Sequence, residues 1–169
     1  GGFDSHTFPP KAHSCWNELF LLNLSVFGSR MKAKIFYGGF AMKRVLITGG
    51  TVFVSRFAAT WFAENGYEVF VLNRGNHLQP ENTTLIQADR HQLGDRLKHL
   101  SFDAVLDITA YDAQDVHDLL NALGSFDDYL LISSSAVYPE NLSQPFVETQ
   151  PVGPNTIWGK YGTDKIAAE

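Results

Sequence analysis

Tyr161 and Lys165 stand four residues apart, a spacing that puts a phenol and an ammonium on one face of a helix. A positive charge beside a phenol favours the phenolate, so such a tyrosine can give or take a proton at a substrate hydroxyl or carbonyl. Upstream lies the run Ser133-Ser134-Ser135, where a serine hydroxyl at a strand's carboxyl end could hold the oxygen on which that tyrosine acts. A second constellation, Gly49-Gly50-Thr51, closes the apolar run Val45-Leu46-Ile47 directly before a helical pattern. A glycine turn in that place lets backbone N–H groups and a helix N-terminus approach a pyrophosphate.

The glycine signature is incomplete. Where the dinucleotide fingerprint carries its second and third glycines, this chain has Val52 and Ser55. Val52 puts a branched side chain where close approach is wanted, whereas Ser55 is small enough to keep most of the helix-to-strand packing. Taken alone, Gly49-Gly50 serves equally well as a plain turn between strand and helix. At the end of the second strand, where an acid would accept hydrogen bonds from the ribose hydroxyls of NAD, the chain has Asn73-Arg74. That arrangement tilts the expectation toward NADP through Arg74, with a solvated surface arginine as the alternative. Asp89 closes the third strand and can face the adenine end or cap the helix that follows. The candidate cofactor residues are thus Gly49, Gly50, Thr51, Arg74, Asp89 and Lys165.

These groups need a scaffold, and from Met42 onward strands alternate with helices, the pattern of a parallel sheet covered on both faces. The expected strands are Arg44 to Thr48, Glu68 to Leu72, Thr84 to Ala88, Ala104 to Ile108 and Tyr129 to Ser133. The expected helices run from Val54 to Asn65, stopped by Gly66, then Gln92 to Leu100, Ala113 to Leu123 and Tyr161 to Glu169. Val116, Leu119, Leu120 and Leu123 form the core stripe of the third helix, and Asp115 and Asp118, like Asp127-Asp128, read as solvated faces. The fold class is α/β, a Rossmann-like doubly wound parallel sheet of order 3-2-1-4-5, with ligands expected beyond the carboxyl ends of strands one and four.

Composition narrows the function classes. A chain of 169 residues, 44% hydrophobic, holds one ordinary core. Residues 1–41 carry four basic and two acidic side chains, so the net charge of −5 leaves −7 for the remainder. Such an acidic body is poorly matched to a phosphate backbone, and no nucleic acid is expected as a partner. The apolar stretch Leu19 to Phe27 is far shorter than the roughly 20 residues that span a bilayer, so no membrane span is expected. The single cysteine, Cys15, allows no internal disulfide and fits the cytoplasm. His91, His99 and His117 lack metal-ligand spacing, and no metal site is expected. Residues 1–41 show no sustained period and read as a leader, disordered or non-native, ahead of an NAD(P)-binding domain over 42–169.

Thr48-Gly49-Gly50-Thr51, Ser133-Ser134-Ser135-Ala136-Val137-Tyr138 and Tyr161-Gly162-Thr163-Asp164-Lys165, taken in this order, resemble the extended short-chain dehydrogenase/reductase group with its NAD-dependent epimerases and dehydratases. The resemblance covers Met42 to Glu169. It implies Tyr161 as catalytic acid/base, Lys165 as the residue that binds the nicotinamide ribose and tunes the tyrosine, and Ser134, ahead of Ser135, as the group that orients substrate. NAD or NADP is then the cofactor and a small hydroxylated molecule, such as a nucleotide sugar, the substrate; a homodimer is compatible. Val52, Ser55 and Asn73-Arg74 depart from the family pattern and mark an atypical branch, some of whose members have non-enzymatic roles. The C-terminal region that sets substrate specificity is expected to be absent from this chain. The expected function is the NAD(P)-binding portion of an epimerase, dehydratase or reductase, inactive as a fragment. The alternative is a non-catalytic Rossmann-like binding or regulatory module.

Overall fold

The computed structural model describes residues 42–169. The expectation of a leader over residues 1–41 lies outside the described residues. Five strands form one sheet: β1 (Arg44–Thr48), β2 (Glu68–Asn73), β3 (Thr83–Gln87), β4 (Ser101–Asp107) and β5 (Ser125–Leu131). Their order is β3-β2-β1-β4-β5, and every neighbouring pair is parallel. Among the described residues three helices accompany them: α1 (Phe53–Glu64), α2 (Ala113–Ala122) and α3 (Lys160–Ala168), with 3-10 turns at Arg90–Gln92 and Ser135–Val137.

Alternation along the strands assigns the two faces of the sheet. Val45, Ile47, Val69 and Val71 are buried with Ala58, Ala59 and Phe62 of α1. Leu46, Phe70, Leu72 and Val105 join Leu93, Leu97, Phe102 and Leu119 in the core of the opposite face. Because both faces of β1 are covered, its run Val45-Leu46-Ile47 is continuously apolar, as buried parallel strands are. Helix α1 ends where expected: Gly66 takes φ +79°, the left-handed conformation that glycine adopts without a Cβ penalty. Asp112 caps α2 by accepting from the Asp115 N–H at 2.9 Å.

Several sequence expectations are corrected. The helix expected over Gln92 to Leu100 is a single 3-10 turn followed by further turns, since Gly94 at φ +54° interrupts any helical path there. Leu93 and Leu97 still reach the core. Strand β5 begins at Ser125 and ends at Leu131, so it takes in Asp127-Asp128 and stops before the serines, because its register is set by pairing with β4 from Ser101 onward. Leu120 is 39% exposed and lies off the core stripe, while Leu119 and Leu123 are buried. Asp115 is not on a solvated face: it is 6% exposed and ion-paired to Arg90.

Candidate functional site

The loop from β1 to α1 is built around three left-handed residues: Gly49 (φ +87°), Gly50 (φ +82°) and Phe53 (φ +46°). The phenylalanine there is a local backbone cost of the kind that functional loops carry. At Gly49 a Cβ would lie 2.9 Å from both Ser55 Oγ and Thr109 Cγ2, so the bare glycine keeps open the space between the loop and the end of β4. Gly50 has a different task, since a Cβ on it would meet Val71 Cγ1 at 2.5 Å; it lets the loop sit on β2 and does not line the cleft. Ser55, in the position of the third glycine, is buried and donates to Val52 O at 2.9 Å. Val52 is 60% exposed and its side chain is not part of the cleft wall.

The cleft, about 460 Å³, opens beyond the carboxyl ends of β1 to β4. Gly49, Thr51, Arg74 and Asp89 line it, together with His77, Arg90, Thr109 and Tyr111. Asn73 has its amide fully engaged: Nδ2 donates to Gly49 O at 2.6 Å and to Gln79 Oε1 at 2.9 Å, and Oδ1 accepts from Gly75 N at 2.8 Å. The side chain that replaces the usual acid is thus spent on pinning the glycine loop to the turn after β2. Arg74 is exposed on that turn. Asp89 caps the 3-10 turn by accepting from His91 N at 2.9 Å.

Beneath the cleft lies a charged network that the sequence reading missed. Asp107, fully buried at the end of β4, accepts from Thr48 Oγ1 at 2.8 Å, from Arg90 Nη2 at 2.8 Å and Nη1 at 3.3 Å, and from the Tyr129 hydroxyl at 2.7 Å. Thr48 Oγ1 in turn accepts from the N–H groups of Ile108 and Thr109 at 2.9 and 3.1 Å. Burial, and then the Asp107 carboxylate, push the Tyr129 phenol far above its ordinary pKa, so it stays a donor. The available signal was the unusual Asp107 directly after the apolar run Ala104-Val105-Leu106, a charge that burial tolerates only with partners.

The acid/base candidates sit on the other side of β4. Lys165 is 3% exposed, and its Nζ donates to Ala110 O at 2.8 Å and Ile132 O at 2.7 Å, bridging the segments that leave β4 and β5. Burial pulls its pKa below the usual lysine range, and the charges of Asp107, Glu169 and Asp115 partly oppose this. Tyr161, one turn earlier on α3, is half-buried between Tyr111 and Trp158, with ring centroids 6.4 and 6.1 Å away. Tyr111 also lines the cleft, so Tyr161 lies one ring away from the cleft wall without forming part of it. Gly162 lets α3 press on the 3-10 turn after the serines, where a Cβ would lie 2.5 Å from Ala136 O. Ser134 Oγ accepts from Ala136 N at 3.2 Å and caps that turn; Ser133 Oγ bonds Glu169. The structure therefore groups Gly49, Thr51, Arg74 and Asp89 around one cleft, and Tyr161, Lys165 and Ser134 where α3 meets the ends of β4 and β5. Among the described residues no group of acidic, histidine or cysteine side chains could hold a metal ion, and no helix is long and apolar enough to cross a membrane.

Comparisons with known proteins agree with this architecture. The chain is 28% identical over 154 residues to the chloroplast stem-loop binding protein of 41 kDa b of Arabidopsis thaliana, covering 80% of this chain and 41% of that protein. It is 28% identical over 131 residues to a 2'-dehydrokanamycin reductase of Streptomyces kanamyceticus, covering 75% and 36%. Among solved structures, a UDP-galactose 4-epimerase superposes with a TM-score of 0.63 at 21% identity, covering 75% of this chain and 49% of that one. A UDP-glucose 4-epimerase from Bifidobacterium longum, solved with NAD+ and UDP, gives 0.61 at 18% identity, covering 73% and 46%. The chain thus spans less than half the length of these relatives. With residues 45–169 matched by the family model, this chain belongs to the NAD dependent epimerase/dehydratase family.

Proposed function

We propose that the chain carries the NAD(P)-binding part of an epimerase, dehydratase or reductase that acts on a hydroxylated substrate, a nucleotide sugar being the class that the solved neighbours' names suggest. The observation that carries this reading is Lys165, buried and fixed to Ala110 O and Ile132 O on the helix that sets Tyr161 beside Tyr111 of the glycine-loop cleft. A module without chemistry has no need of that geometry. The residues present suit a dinucleotide: Gly49 and Thr51 would meet the pyrophosphate, Arg74 a 2′-phosphate, and the third N–H of Lys165 a ribose hydroxyl. Arg74 leans the choice toward NADP. Bound NAD(P) supplies a hydride acceptor and donor. Tyr161 then gives or takes the proton at the substrate oxygen, Ser134 orients that oxygen, and Lys165 holds α3 against the strand ends. A cytoplasmic, homodimeric protein is consistent with this reading.

The first test is calorimetric titration of the chain with NADH and with NADPH. Micromolar binding of either supports the reading, and the stronger of the two reports on Arg74. No binding to a demonstrably folded chain overturns it in favour of a cofactor-free module. In a form of full family length, Tyr161→Phe should lower kcat by about 10²–10⁴-fold with cofactor affinity kept.

A second reading, a binding module for structured RNA, is favoured by the name of the Arabidopsis relative alone. The −7 charge of the body opposes it. Tight, salt-dependent gel shifts with a stem-loop RNA would revive it.

A further inference from the structure

Arg90 lines the cleft, yet its hydrogen-bonding edge is spent elsewhere. Nη1 donates to Asp107 Oδ1 and Thr109 Oγ1, both at 3.3 Å, and Nη2 donates to Asp107 Oδ2 and Asp115 O, both at 2.8 Å. Nε lies 3.2 Å from Asp115 Oδ1 as an ion pair, although its buried N–H is not aligned for a hydrogen bond. The four acceptor atoms bonded to Nη1 and Nη2 lie around the rim of the planar guanidinium, and the side chain is only 13% exposed. What such a clamped fork can offer a ligand is its flat face. A guanidinium held this way stacks on π systems without losing side-chain entropy on binding.

Its place in the fold says which π system. In a dinucleotide cleft the pyrophosphate lies on the first glycine turn and the ribose at the end of the second strand. Here those points are Gly49 to Thr51 on β1 and Asn73-Arg74 on β2. In the order β3-β2-β1-β4 the adenosine base then reaches the wall formed by Ala88, Asp89 and Arg90 after β3, next to Thr109. Resting on the cofactor reading above, we propose that the Arg90 guanidinium, clamped in its plane by Asp107 and Asp115, is the stacking platform for the purine base of the bound dinucleotide. The buried carboxylates thereby serve binding, by aiming a cationic plane at the cleft, as well as charge balance.

The test titrates the full chain and its Arg90→Lys variant with NADH, ADP and ribose 5-diphosphate, which is ADP without its base. Lysine keeps the positive charge for Asp107 and removes the plane. Wild type should bind ADP about tenfold more tightly than ribose 5-diphosphate, and Arg90→Lys should erase that preference. A purely structural role would weaken both ligands alike and keep the preference; that result, or unchanged binding, overturns the proposal. Should the variant fail to fold, wild type with ADP decides by nuclear Overhauser contacts between the adenine ring protons and the Arg90 δ-methylene, whose absence overturns it. Wild type that binds neither NADH nor ADP overturns the cofactor reading, and the stacking platform falls with it.

Discussion

The glycine-loop half and the Tyr161-Lys165 half of this molecule are braced in different ways. Around β1 and β4 the site rests on side chains: Thr48, Arg90 and Tyr129 saturate one buried carboxylate, Asp107. Around β5 and α3 it rests on backbone: Lys165 bonds two carbonyls, and Gly162 admits the Ala136 carbonyl at close range. Burial differs in parallel. Val45 to Thr48 in β1 are all buried, whereas no residue of β5 is. A buried charge network is costly to break at any single member, because the partner left behind remains charged and dry. Backbone contacts survive most side-chain changes and yield only where a new atom intrudes.

The largest effect should follow from breaking the network. Asp107→Ala leaves the Arg90 guanidinium without its main counter-charge and should cost about 3–5 kcal/mol, read from urea unfolding. A loss below about 1 kcal/mol would mean that solvent or Asp115 replaces the carboxylate, and the contrast between the halves would shrink.

An intermediate effect is expected on the other side. Gly162→Ala puts a Cβ 2.5 Å from Ala136 O, a backbone atom with little freedom to retreat. Overpacking of this kind costs about 1–3 kcal/mol, offset by up to about 1 kcal/mol from the better helix propensity of alanine. The urea midpoint should fall modestly. A raised midpoint would show that α3 can slide on the serine turn.

The smallest effect concerns the rim of the cleft. His91 Nδ1 lies 2.7 Å from Asp118 Oδ2; that hydrogen bond raises the histidine pKa above 6.5, and its counterpart lowers that of Asp118. The sign follows from linkage: the histidine's contribution to stability is fully present below pH 6.5 and is lost as pH rises through the raised value. At the acid end the Asp118 contribution is lost as pH falls through its lowered value. Nuclear magnetic resonance titration of the His91 ring should give a midpoint above 6.5, returning toward it in Asp118→Asn. An unshifted wild-type midpoint would remove the pair.

The chain's own pattern determined the five strands, their order and the positions of the glycine turn and the Tyr161-Lys165 face, because apolar runs, glycines and four-residue spacings act locally. Residues 92–100 misled, since Leu93 and Leu97 have helical spacing but Gly94 at φ +54° breaks the path between them. Asn73 stands where the sequence pattern leads one to expect an acid, yet its grip on Gly49 and Gln79 is a matter of two loops meeting. Asp115 is the clearest case. At helical spacing beside Asp118 it looks like a solvated acid, and only the approach of Arg90 from a different strand end makes it a buried partner. The same holds for Asp107, Thr48 and Tyr129, which come from three strands. Sequence periodicity states which face a residue takes on its own element, whereas what lies across that face is set by how β3, β4, β5 and α2 assemble, and the charges needed their partners to be buried at all.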